Sequence, residues 1–130
     1  MGFKDALAKA REARPEPVLV DVAVGDELFR VEVRRLDGME WAAVMASAPP
    51  ADEMGARLGY DTSKAALVAC QKYSRLLDAE GAEVDDVDWR ELFDTISGTE
   101  VGAVAATWWA LNMGDPNSQV VALKKALRGR

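Results

Sequence analysis

Hydrophobic residues alternate with polar ones in two neighbouring stretches and recur every three or four residues through most of the remaining chain. Val18, Val20, Val22 and Val24 fall on one face of an extended segment, with Asp21 on the other. Gly25, Asp26 and Glu27 supply turn chemistry. Phe29, Val31 and Val33 then alternate with Arg30, Glu32 and Arg34. Two period-two runs around a Gly-Asp turn predict a β-hairpin over residues 18–35 with one buried face. An isolated hairpin is marginal in water, so this one must pack on helices or pair with another chain.

The helical period governs the rest. Phe3 to Arg14 predicts a short helix with a narrow stripe of Ala6, Leu7 and Ala10, stopped by Pro15 and Pro17. A second helix is expected at about 38–48. Asp37 serves as its cap, Glu40 reaches back three residues later, and Trp41, Val44 and Met45 form its apolar face. Pro49 and Pro50 end it, and residues 49–60 read as loop. Asp61, Thr62 or Ser63 caps a helix over 62–78, in which Ala66, Ala69, Cys70, Tyr73, Leu76 and Leu77 follow helical spacing. The acidic stretch Asp78 to Asp88 reads as loop. Asp88 caps a helix over 88–97, with Trp89, Leu92, Phe93 and Ile96 on one stripe. The expected architecture is α+β: an N-terminal β-hairpin packed on a mainly α-helical bundle. Residues 1–17 form an N-terminal arm and residues 18–130 one domain.

The helix predicted over 99–113 has an unusual pattern. Ser97 and Glu100 frame its start, and from Val101 to Met113 only Thr107 and Asn112 are polar. A helix apolar on all sides lies in the core or at an interface. Gly102, Ala103, Ala105 and Ala106 let another backbone approach. Trp108 and Trp109 are consecutive, so they point about 100° apart and serve different neighbours. Asp115 and Pro116 open a last helix over 116–128, with Val120, Val121, Leu123, Ala126 and Leu127 on its apolar side.

Charge and chemistry narrow the function. The 130 residues carry a formal charge of −6. Residues 37–100 hold five basic and fourteen acidic side chains, a net of −9. Such a body repels phosphate backbones, so no nucleic-acid partner is expected. The basic cluster Lys124, Lys125, Arg128 and Arg130 has two readings, a nucleic-acid tail or, more commonly for such a cluster, a complement to the negative end of the last helix. No apolar run reaches the roughly 20 residues of a membrane span. There is no histidine, which removes the commonest general base and metal ligand. The single cysteine, Cys70, lies on an apolar helical face and reads as a small core residue. The acids Glu83, Asp85, Asp86 and Asp88 lack the ligand order and central glycine of a calcium loop. No enzyme, catalytic residue, metal site or cofactor is expected. The remaining functional signal is apolar: four tryptophans and five methionines in a small chain. Such residues suit adaptable protein-binding surfaces as well as cores.

The order of elements resembles the tail assembly chaperones of long-tailed bacteriophages, of the kind infecting actinobacteria. The resemblance rests on four stretches. They are Phe29-Arg-Val-Glu-Val-Arg-Arg-Leu-Asp-Gly-Met-Glu-Trp41, Ala46-Ser-Ala-Pro-Pro50, Trp89-Arg-Glu-Leu-Phe93 and Trp108-Trp109-Ala-Leu-Asn112. It implies a small acidic protein that binds the tape measure protein and keeps it soluble while the tail assembles. It implies a host-cytoplasmic protein absent from the mature virion, and a longer frameshifted form of the same chain. The residues assigned to partner binding are Trp41, Met45, Trp108, Trp109 and Met113. Self-association through the hairpin edge is a further expectation. The competing reading is a head–tail connector or tail completion subunit that oligomerises within the virion.

Overall fold

The computed structural model describes residues 2–114. The predicted last helix over 116–128 lies outside the described residues. The fold is α+β, with an N-terminal hairpin packed on helices. Helix α1 spans Phe3–Glu12, strands β1 and β2 span Val18–Val24 and Glu27–Val33, and helix α2 spans Gly38–Ala46. Helices α3 and α4 span Glu53–Leu58 and Thr62–Tyr73, and strand β3 is Leu76–Leu77. Helices α5 and α6 span Trp89–Thr95 and Gly98–Asn112.

β1 and β2 pair antiparallel, with Val20 opposite Val31 and Val22 opposite Phe29. Gly25 takes the left-handed conformation (φ +63°) that the two-residue turn demands. Val22, Val31 and Val33 are buried on the face that meets the helices, as the alternation predicts. Val18, at the strand end, is exposed.

Two elements differ from the sequence expectation. The chain leaves the helix at Ser74, which is extended (ψ 153°), so α4 stops at Tyr73 instead of running to 78. Leu76 and Leu77 then pair antiparallel with Val31 and Arg30, making a third strand of what read as helix. Burial on the sheet explains why two leucines at helical spacing are apolar. Residues 53–58, expected as loop, form a short helix. Asp52 accepts from the Gly55 N–H at 2.7 Å, and Gly59 (φ +89°) closes the last turn.

Glu32 also departs from the alternation. It points away from the hydrophobic core yet is only 5% exposed. Its carboxylate accepts from Arg75 at 2.6 Å and from Arg34 at 2.5 Å. The hydroxyl of Ser74 donates to its carbonyl at 2.6 Å, and its own N–H donates to the Arg75 carbonyl at 2.9 Å. The paired guanidiniums, Arg75 foremost, outweigh desolvation and hold this carboxyl below the usual range. The buried acid therefore fastens the start of β3 to β2.

Local capping places the helices largely as read. Glu40 accepts from the Asp37 N–H at 3.0 Å, and the Asp37 carboxylate also pairs with Arg14 at 2.7 Å, tethering α1. Of the three candidate caps for α4, Asp61 takes the role, accepting from Lys64 N–H at 3.0 Å. Asp88 accepts from Glu91 N–H at 3.1 Å. Ser97 and Glu100 form a reciprocal capping box, and a second Glu100 oxygen accepts the outward-facing Ala23 N–H of β1. That contact covers part of the open sheet edge and ties α6 to the hairpin. α1 by contrast buries no residue, and its Phe3 and Leu7 stand exposed.

Candidate protein-binding groove

α6 organises the surface of interest. Its inner face packs on the sheet and on α4 through Val104, Ala105 and Trp108. Its C-terminal end is clamped by Asn112. The side-chain oxygen accepts from the Leu36 N–H at 2.7 Å, and the amide nitrogen donates to the Arg34 carbonyl at 3.1 Å. Two of the stretches that carry the phage resemblance, around residues 34–37 and 108–112, thus meet in space. In the sequence pattern Asn112 is only a polar break in an apolar helix.

The consecutive tryptophans part as their 100° separation requires. Trp108 is fully buried and stacks on Trp41 at a centroid distance of 6.2 Å and an interplanar angle of 7°. Trp41 is itself buried and meets Tyr60 edge-on at 5.8 Å. These three rings make the aromatic centre of the core. Trp41 and Trp108 therefore present no surface to a partner, which corrects their assignment to a binding face. The reason is packing: the Trp41, Tyr60 and Trp108 rings fill the space between α2 and α6 against each other.

Trp109 is half-buried and lines an open groove of about 260 Å³. Leu58 of α3, Thr62 and Ser63 at the start of α4, and Gly102, Ala105 and Ala106 of α6 complete it. The small residues of α6 make its floor. Gly102 and Ala106 are exposed, and a β-carbon added at Gly102 would meet nothing within 4 Å. The groove has no ionisable side chain among its described lining residues. Met54 stands 61% exposed one helical turn before Leu58, which is 38% exposed, so the apolar surface continues along α3.

α3 is held in place to form that wall. A β-carbon at Gly55 would lie 3.2 Å from Asp52 Oδ1 and 3.3 Å from both the Pro50 Cα and the Tyr60 carbonyl oxygen. Asp61 N–H donates to the Ala48 carbonyl at 2.8 Å, fixing the turn between α3 and α4. The sequence carried signals for this wall, namely Asp52 as a cap and Gly59 as a stop. The helix is too short for a hydrophobic period, so those signals had no pattern to confirm them.

Met45 and Met113 are half-buried and pack against the core, and neither lines the Trp109 groove. Of the five residues assigned to partner binding, Trp109 alone sits in it. Cys70 is fully buried, and burial pushes its thiol up to about 11, with Ser74 and Trp108 only partly opposing. Glu83, Asp85, Asp86 and Asp88 do not gather as ligands. Among the described residues no group of three or more His, Cys, Asp or Glu is placed to hold a metal. Among the same residues no helix is long and apolar enough to cross a membrane. Comparison of the chain with protein-family models, curated proteins and solved structures finds no match.

Proposed function

We propose that this chain is a tail assembly chaperone that binds an apolar helical stripe of a phage tape measure protein and keeps it soluble. The observation that supports the reading is the uncharged groove beside Trp109, set in a strongly acidic body. A floor of glycine and alanine admits a helix closely, and an indole at the rim supplies contact area at low entropic cost. The surrounding negative charge keeps such a complex dispersed by self-repulsion. The resemblance carried by residues 29–41, 46–50, 89–93 and 108–112 supplies the identity of the partner. The reading places the protein in the host cytoplasm and outside the finished particle.

Co-expression with the tape measure protein encoded beside it tests this reading. The expected outcome is a soluble complex, with the tape measure protein insoluble when made alone. Mass spectrometry of purified particles should then lack this chain. Its stoichiometric presence there, with no soluble complex, would instead identify a connector or tail completion subunit.

A further inference from the structure

The turn end of the hairpin forms a second concavity, lined by none of the residues around Trp109. Two neighbouring hollows of about 620 Å³ and 410 Å³ share Phe29 and Val84 in their linings. The smaller of them is a trough with an apolar floor: Val24 of β1, Phe29 of β2, and Val84 and Val87 from the segment after β3, all half-buried. Asp85, Asp88 and Glu91 wall this trough, and Asp26, Asp78 and Glu80 line the neighbouring, more polar hollow. Among the described lining residues every ionisable side chain is a carboxylate.

Some of those carboxylates serve the fold. Asp78 accepts the N–H groups of Glu80 and Ala82 at 2.9 Å, and Asp88 caps α5. Asp26, Glu80, Asp85 and Glu91 make no side-chain hydrogen bond or ion pair among the described residues. A charge run that merely solvates a loop needs no apolar floor between its acids. Here the wall and the floor face the same space.

The geometry points to a docking trough for a cationic amphipathic segment of a partner protein. Apolar side chains of that segment seat on Phe29 and Val84, and flanking lysines or arginines reach the carboxylate walls. Binding relieves the repulsion among the acids, removes half-exposed valine and phenylalanine from water, and weakens with salt. This inference is independent of the phage reading, because it rests on the charge and shape of a different surface.

The test is a nuclear magnetic resonance titration of the full chain with a short leucine–lysine amphipathic peptide. Two control peptides replace leucine by alanine or lysine by glutamate. The expected result is shifted amides at Val24, Phe29, Val84 and Val87. Affinity should fall about tenfold or more for the alanine peptide and vanish for the glutamate peptide. The double variant Glu80→Lys/Asp85→Lys should weaken binding by a similar factor with an unchanged melting midpoint, since both side chains are exposed and make no side-chain hydrogen bond or ion pair among the described residues. Equal binding of the alanine peptide would reduce the trough to nonspecific charge and overturn the proposal. Shifts at Gly102 and Trp109 instead would also overturn it. So would tighter peptide binding after Lys124, Lys125 and Arg128 are replaced by glutamine, because the chain's own segment would then be the occupant.

Discussion

Replacing Trp108 and Trp109 separately by alanine separates core from surface in adjacent residues. Trp108 is fully buried and stacked on Trp41. Its truncation removes a whole indole from a closed site, which costs about 3–5 kcal/mol, including the cavity left behind. The stack with Trp41 accounts for roughly 1 kcal/mol of that. A domain of this kind has about 5–15 kcal/mol in total, so Trp108→Ala leaves a marginal protein. Trp109 is half-buried over an open groove, and its truncation leaves a wider groove rather than a void. Its cost is about 1 kcal/mol, from the partial loss of apolar burial. Urea unfolding followed by far-UV circular dichroism reads both, with an unchanged m-value as the check that the denatured state is the same. The reasoning fails if Trp108→Ala costs less than about 1.5 kcal/mol, or if the two variants are equally destabilised.

Further outcomes follow from other named groups. Glu32→Gln should cost about 1–2 kcal/mol, less than a fully enclosed pair because Arg34 and Arg75 are 42% and 49% exposed and rehydrate. The carboxyls of Glu32, Asp37 and Glu100 are all lowered, by Arg75, by Arg14, and by the Ala23 N–H respectively. Their stabilisation is complete above the ordinary carboxylate range, near pH 4, and is lost as pH falls through the lowered values. Stability against pH should therefore drop on the acid side, and Glu32→Gln should flatten that drop; an unchanged profile would contradict the role given to Glu32. The buried Tyr60 hydroxyl has no hydrogen-bond partner among the described residues, so Tyr60→Phe should raise stability by about 1 kcal/mol in the same urea assay. A loss of similar size would reveal a partner. Cys70 should resist a disulfide reagent at pH 8 until urea unfolds the chain, and rapid native reaction would contradict its burial.

The parts of the fold legible in the sequence are those fixed within a few residues. The hairpin follows from alternation and a Gly-Asp turn. The starts of α2, α4, α5 and α6 follow from Asp37, Asp61, Asp88 and Ser97, because a cap and its target N–H lie three residues apart. β3 was not legible, since Leu76 gains its strand partner only from Val31, far away in the chain. The burial of Glu32 depends on the same remote pairing, which brings Arg75 beside it. The groove was half legible. Small residues on α6 and the tandem tryptophans announced a surface, and helical geometry required the two rings to diverge. Which ring turns inward depends on where α2 places Trp41, and no local pattern encodes that.

The groove's role is tested most directly by filling it without disturbing the core. Gly102→Leu adds a side chain where a β-carbon meets nothing within 4 Å, and it removes a helix-interior glycine that costs about 1 kcal/mol. The variant should melt at or above the parent temperature. Co-expressed with the proposed tape measure partner, it should leave that protein insoluble where the parent chain is expected to yield a soluble complex. Undiminished recovery of the complex with Gly102→Leu would contradict the groove as the binding surface.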